Sequence, residues 1–211
     1  WEGYKQVNLK FFEAVESRIE EDDIIWIHDY QLMLLPQMIK EKYPDTKVGF
    51  FLHIPFPSFE IFRLLIWREE ILHGILGADL VGFHTYDYAR HFLSSARRLL
   101  GLDNNLNRIS YEDRYVQVDA FPMGIDYEYF SQKVETEALQ EEDQVISDQT
   151  AGIKMILSID RLDYTKGIPE RLKAFSRLLA QYPEYREKVR LNLIVAPSRI
   201  DVDTYNQLRK E

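Results

Sequence analysis

The sequence predicts an α/β fold, a parallel sheet with helices on both faces. Three observations predict it. Short runs rich in β-branched and aromatic residues alternate with longer runs of helical periodicity along the whole chain. Several short runs, such as Val48-Gly49-Phe50-Phe51-Leu52, are apolar at consecutive positions, which suits strands buried on both faces. The polar residues with chemical potential fall where those runs end, at Asp29, His53, His84, Arg161 and Arg199. Ligands of open parallel sheets bind beyond the carboxyl ends of the strands, so one rule gives these five residues a common face.

The elements follow in order. Residues 4–19 place Val7, Phe11, Val15 and Ile19 at helical spacing, an amphipathic helix expected to turn that stripe to the core. Residues 23–27 read as a strand ending at His28-Asp29-Tyr30. Residues 32–43 read as a helix stopped by Pro44. Residues 48–52 form the next strand, which Pro55 and Pro57 prevent from continuing beyond His53. Residues 60–76 hold one or two helices with Trp67 and Leu72 inward. A strand at 80–83 ends at His84-Thr85, and a helix at 86–100 closes at Gly101. The Asn-rich stretch 102–114 reads as a loop, and 115–121 as a fourth strand.

Residues 131–149 are rich in Gln and acidic side chains and have weak periodicity, so the domain boundary is expected there. A new strand-loop-helix unit begins with the apolar run 153–157, expected to be a buried strand. A helix over about 169–182, a strand at 189–195, the segment Ala196-Pro197-Ser198-Arg199 and a final helix complete the chain. The expected division is residues 1–130, a connection at 131–150, and the start of a second domain at 151–211. No tandem repeat or low-complexity tract is visible.

Composition narrows the function. The 211 residues are 45% hydrophobic, enough for one large domain or parts of two. A formal net charge of -9 argues against non-specific nucleic-acid binding, which needs excess Lys and Arg, and requires any anion site to be built from local cations. The absence of cysteine excludes disulfides and thiolate metal sites and fits a reducing, cytoplasmic compartment. The apolar stretch 24–39 is interrupted by His28, Asp29, Tyr30 and Gln31, whereas a membrane helix needs about 20 predominantly apolar residues. No membrane association is expected. The opening at Trp1 is read as that of an internal piece of a longer protein.

The chemistry concentrates at Ser158-Ile159-Asp160-Arg161-Leu162-Asp163-Tyr164-Thr165-Lys166-Gly167-Ile168-Pro169. Arg161 and Lys166 lie between a strand end and a helix start, where free backbone N–H groups and the helix dipole attract anions. Gly167 permits close approach of a ligand, and Pro169 suits the first helical turn. Two readings stand on the loop alone: a phosphate or diphosphate site, or a solvated loop with two ordinary surface cations. Asp29 could accept hydrogen bonds from a hydroxylated ligand or cap the following helix. His53 reads first as a structural histidine. Arg199 could grip a phosphate or pair with Asp201 or Asp203. His28, His53 and His84 lie too far apart in sequence to form a local metal-ligand motif, so no metal is expected. Neither a Gly-x-Gly-x-x-Gly loop, a Walker loop nor a nucleophile elbow occurs.

Asp23-Ile24-Ile25-Trp26-Ile27-His28-Asp29-Tyr30, Gly49-Phe50-Phe51-Leu52-His53-Ile54-Pro55-Phe56-Pro57 and Arg161-Leu162-Asp163-Tyr164-Thr165-Lys166-Gly167-Ile168-Pro169-Glu170-Arg171 closely resemble the trehalose-6-phosphate synthases, glycosyltransferase family 20. Trp1-Glu2-Gly3-Tyr4 and Ala196-Pro197-Ser198-Arg199 extend the resemblance over nearly the whole chain. It implies a GT-B fold of two Rossmann-like domains: the C-terminal part of the acceptor-side domain, then the start of the nucleotide-sugar domain. It implies retaining transfer of glucose from UDP-glucose to glucose 6-phosphate, without cofactor or metal. By matching motif, Asp29 would bind the acceptor, His53 would sit beside the transferred glucose, Arg161 and Lys166 would hold the UDP diphosphate, and Arg199 the acceptor phosphate. The family's glycine-containing loop over the donor and its later acidic donor loop have no counterpart in these residues, so the chain alone is expected to be inactive. A homo-oligomer of the longer protein is compatible with the resemblance. Two alternatives are a relative with another acceptor, such as glycerol 3-phosphate, and a non-catalytic regulatory subunit of a trehalose-synthesis complex.

Overall fold

The alternation of apolar runs and helices folds as parallel α/β structure. The computed structural model describes residues 1–150 and 152–197. The chain divides into two units, Trp1–Ile125 and Asp126–Glu211. In the first, β1 (Ile24–His28), β2 (Lys47–Leu52), β3 (Leu80–Phe83) and β6 (Arg114–Ala120) lie side by side in parallel. The chain passes between them through α2 (Leu35–Lys42), the short α3 (Phe59–Phe62), α4 (Arg68–Leu76) and α5 (Tyr86–Leu100). Side chains alternate across each strand. One face carries Ile27, Val48, Phe50, Leu52, Val81, Phe83, Val116 and Val118, all buried in one core with Ile39, Leu72, Ile75 and Phe92 from the helices. The opposite face carries Ile24, Trp26 and Leu80, which are exposed.

Four expectations are corrected in this unit. The loop expected at 102–114 is a hairpin: β4 (Asn104–Asn105) and β5 (Arg108–Tyr111) extend the sheet antiparallel beyond β6. Leu106 and Asn107 (φ 49° and 64°) and then Glu112 (φ 53°) make its tight turns, which the Asn-rich composition signals as turns but not as paired strands. Helix α1 (Glu2–Glu16) does not bury the expected stripe, since Val7 and Phe11 are exposed while Asn8 is fully buried. The Asn8 amide donates to the carbonyls of Tyr4 and Gln31 and accepts from the N–H of Leu34. It thereby satisfies backbone groups in the irregular segment after β1 that no sheet or helix serves. The helix expected from residue 32 begins only at Leu35, after a 3-10 turn at Tyr30–Leu32. Pro36 fits only the first turn of a helix, and this fixes the later start. Leu72 is inward as expected, whereas Trp67 is half-buried and stacks on Trp1 with ring centroids 4.9 Å apart.

In the second unit, α6 (Tyr127–Lys133) and α7 (Glu137–Gln149) occupy the Gln- and acid-rich stretch. Strands β7 (Lys154–Arg161) and β8 (Val189–Ala196) pair in parallel, with α8 (Ile168–Gln181) between them in sequence. Strand β7 runs four residues beyond the expected 157, so Arg161 is its last residue. The strand is not buried as expected: Met155, Ile156 and Leu157 are exposed. In the described part of this unit β8 is its single neighbour. Among the described residues no helix is long and apolar enough to cross a membrane. Arg199 and the expected final helix lie outside the described residues.

Candidate functional site

Strand β1 ends at His28, and the next residue departs from strand geometry. Asp29 has φ 72° and ψ 172°, a region that only glycine enters at low cost. It is held there from both sides. Its N–H donates to the carbonyl of Phe51 at 2.8 Å, continuing the β1–β2 ladder, and its carbonyl accepts from Leu32 N–H at 3.2 Å. Its carboxylate makes no capping bond to the following turn. Instead Oδ1 accepts from the backbone N–H of His53, 3.2 Å away at the end of β2. The helix-capping reading of Asp29 is thereby set aside, and the strain is of the kind that concentrates at ligand sites.

The parallel register brings the strand ends together, with His28 paired opposite Phe51 and His53 two residues beyond it. Nδ1 of His28 lies 2.9 Å from Nε2 of His53. The His53 ring also packs against Phe51 and His84, at centroid distances of 4.8 and 5.4 Å. Asp29, His28, His53 and His84 thus form one cluster at the carboxyl ends of β1, β2 and β3. A cavity of about 540 Å³ on the exposed face includes Ile24, Trp26, Phe51, Gly82 and Phe121 in its lining, together with His28 and His53. Gly82 makes room there: a Cβ at that position would lie 2.6 Å from the Phe51 ring. The pairing of His28 with His53 was not anticipated from the sequence. Its signal was the two-residue alternation, which puts Ile24, Trp26 and His28 on one side of their strand and Gly49, Phe51 and His53 on one side of theirs. Among the described residues, no group of three His, Asp or Glu side chains is arranged to hold a metal ion.

The second cluster is the loop from β7 to α8. Asp163 accepts from both the N–H and the hydroxyl of Thr165, at 2.9 and 2.8 Å, which winds the chain into a 3-10 turn over Tyr164–Lys166. Gly167 then takes a left-handed conformation, φ 59°, and Pro169 lies in the first turn of α8. Arg171 braces the loop from that helix. Its Nη1 lies 2.6 Å from Oδ2 of Asp160 and also bonds Ser158 Oγ, and its Nη2 donates to the carbonyl of Lys166 at 3.1 Å. The Arg171 hydrogen bond holds the Asp160 carboxyl below the usual range, with the nearby charges of Arg171 and Lys166 acting in the same direction. Arg161 and Lys166 are exposed, and among the described residues neither has a salt-bridge partner. Sequence reading missed the Arg171 brace because its partners lie five to thirteen residues away and become neighbours only across the β7–α8 packing.

The sequence matches the model of glycosyltransferase family 20 over residues 1–211. The chain belongs to glycosyltransferase family 20. This family 20 chain is 48% identical over 211 residues to the UDP-forming alpha,alpha-trehalose-phosphate synthase A of Dictyostelium discoideum, covering all of the chain and 29% of that relative. A solved trehalose-6-phosphate structure from E. coli, bound with UDP-2-fluoro glucose, superposes with a TM-score of 0.82 at 31% identity, over 100% of the chain and 47% of the other. The UDP-forming synthase of Burkholderia xenovorans in complex with glucose-6-phosphate gives 0.79 at 30% identity, over 99% and 47%. The family 20 chain therefore spans less than half the length of these relatives. The expected α/β class with a largely parallel sheet holds, and the structural relatives are GT-B synthases. These relatives do not favour the other-acceptor and regulatory-subunit alternatives.

Proposed function

We propose that the family 20 chain is part of a retaining glucosyltransferase that makes trehalose 6-phosphate from UDP-glucose and glucose 6-phosphate. The observation that carries this reading is the β7–α8 loop. It offers two exposed cations, Arg161 and Lys166, on a turn stiffened by Asp163 and Gly167, while the third cation, Arg171, is occupied by Asp160. That division of labour suits a diphosphate. Charge builds on the leaving UDP as the glycosidic bond breaks, and fixed cations aimed there act most strongly in the transition state. The relatives bound to a UDP-sugar analogue and to glucose-6-phosphate support the same substrates here.

On this reading Asp29 binds hydroxyls of glucose 6-phosphate through the oxygen not committed to His53, and His53 sits beside the transferred glucose. Arg199 binds the acceptor phosphate. Double displacement would need a carboxylate nucleophile at the anomeric carbon, and Asp29 is assigned to the acceptor. Attack therefore takes place on the face that UDP leaves. The acceptor hydroxyl oxygen bonds to the anomeric carbon, the bond to the diphosphate oxygen breaks, and that oxygen takes the acceptor proton. No cofactor enters this scheme. We assign the enzyme to the cytoplasm, a reducing compartment suited to a cysteine-free chain.

Two measurements test the proposal. Calorimetry should show UDP binding to the chain that is weakened at least tenfold in Arg161→Ala and in Lys166→Ala, since each removes a charge-assisted contact of about 1.5–3 kcal/mol. Unchanged affinity in both variants would remove the diphosphate role. A full-length protein carrying this chain should release UDP from UDP-glucose in the presence of glucose 6-phosphate and not of glycerol 3-phosphate. A covalent glucosyl adduct trapped on Asp29 would overturn the same-face step.

A further inference from the structure

We propose that His28 is a positioning residue that fixes both the ring orientation and the tautomer of His53, so that the two imidazoles present a single defined hydrogen-bonding group to the transferred sugar. The inference rests on the reading above that His53 lies beside that sugar. The geometry comes from the ends of β1 and β2. Nδ1 of His28 and Nε2 of His53 are 2.9 Å apart, a hydrogen-bond distance between two atoms that are each either donor or acceptor. A neutral imidazole carries one of each, so the contact couples the two rings. If His28 donates from Nδ1, His53 accepts at Nε2 and carries its own proton on Nδ1. If His28 accepts, His53 donates from Nε2 and Nδ1 becomes an acceptor. Either way the role of the His53 nitrogen left for a ligand is tied to the tautomer of His28, and the proposal assigns the lead to His28.

The other neighbours of His53 do not supply this control. Asp29 holds its backbone N–H at 3.2 Å, which fixes the main chain but leaves the ring free to turn. Phe51 and His84 flank the ring at 4.8 and 5.4 Å and limit its swing without reading which nitrogen bears the proton. His28 is itself steadied by Trp26, whose ring lies 4.8 Å from it on the same side of β1. The row Trp26, His28, His53 therefore runs from an apolar anchor, through a polar contact, to the residue placed at the sugar. A sugar hydroxyl both donates and accepts, so a partner of fixed role sets which way its proton points and holds the sugar in one orientation. Orientation of this kind counts in the chemical step more than in binding.

Two substitutions separate positioning from simple packing, made in a full-length protein carrying this chain. His28→Phe keeps a ring against Trp26 but removes the polar atom. His28→Asn keeps a carboxamide atom where Nδ1 stands. The expected result is a loss of about five- to tenfold in kcat with UDP-glucose for His28→Phe, the size of one ordinary hydrogen bond, with the acceptor KM little changed and most of the loss restored in His28→Asn. Nitrogen-15 NMR of the imidazoles should show one tautomer of His53 in the parent and a mixture in His28→Phe. Equal turnover in all three proteins overturns the proposal, as does a mixed tautomer in the parent. A loss that Asn does not restore, accompanied by a lowered melting temperature, also overturns it, because it makes His28 a packing residue. A single tautomer in the parent combined with undiminished turnover in His53→Ala is a different outcome. It confirms the coupling of the rings and removes His53 from the sugar, so the failure then belongs to the proposed function.

Discussion

Asp29 shows how a single residue can carry both strain and chemistry. At φ 72° and ψ 172° an aspartate pays about 1–3 kcal/mol that glycine would avoid. Elsewhere in a chain glycine is the costlier residue by roughly 0.5–1 kcal/mol relative to alanine. Comparing Asp29→Gly with Asp29→Ala should reverse that order, with the glycine variant the more stable by about 0.5–2 kcal/mol in urea denaturation, the strain relieved less the glycine cost. An alanine variant more stable than the glycine one would show that the backbone carries no strain there. The position of Asp29 at a strand end was legible in the sequence, because a short β-rich run stops there. The strain was not, because it depends on the β1–β2 register that pins the Asp29 N–H to Phe51. The same contrast holds at Asp160, whose lowered pKa stems first from Arg171, eleven residues away. A carboxyl with a folded pKa below its unfolded value adds stability above the unfolded value and loses it as pH falls through the folded one. The carbon-13 shift of the Asp160 carboxyl should therefore stay constant as pH falls into the ordinary carboxylate range and change only below it. In Arg171→Met the change should move up into that range. An unaltered titration in the variant would mean that Arg171 does not brace the loop.

Among the elements, α4 and the start of α2 owe their close approach to two glycines, Gly74 within α4 and Gly77 at its C-terminal end. A Cβ on Gly74 would lie 2.4 Å from the carbonyl oxygen of Met33, and one on Gly77 would lie 2.1 Å from the backbone N of Gln37. Backbone atoms cannot yield as a flexible side chain does, so the helices must move apart to admit a methyl. By helix propensity alone, glycine to alanine gains about 1 kcal/mol within a helix. Packing reverses the sign: Gly77→Ala should destabilise the chain by about 1–3 kcal/mol, measured as a lowered denaturation midpoint at unchanged slope. A neutral or stabilising result would refute the close contact. Gly101 was legible as the end of α5 because its role is local, a left-handed residue at φ 70° with nothing within 4 Å of its missing Cβ. Gly77 gave no such sign, because its constraint comes from a helix forty residues earlier in the chain. The β4–β5 hairpin was missed for a related reason. A two-residue strand such as Asn104–Asn105 has too short a pattern to read, and it exists only because β5 pairs with β6.

Across the whole molecule, burial is unevenly shared in a way that composition hides. Both units carry apolar strands, and the sequence gives Met155-Ile156-Leu157 the look of a core strand no less than Phe50-Phe51-Leu52. Yet among the described residues the fully buried large side chains, Phe50, Phe83, Phe92, Ile39 and Leu72 among them, all lie in the first unit. In the described part of the second unit Ile168 is the one buried hydrophobic residue, and Leu157, Ile159 and Ile194 face solvent. Apolar burial stabilises by roughly 25 cal/mol per Å², so the two units should open with different free energies. Native-state hydrogen exchange should find its slowest amides in β2, β3, β6 and α5. The amides of β7 and α8 should exchange faster, although β7 and β8 form a complete two-stranded ladder. UDP present at a hundred times its dissociation constant should raise the opening free energy of β7 and α8 by up to about 2.7 kcal/mol, as for any ligand that binds only the folded form. Equal protection of β3 and β7 without UDP would contradict the unequal burial. Protection of β7 and α8 that does not respond to UDP would separate the Arg161–Lys166 loop from the diphosphate.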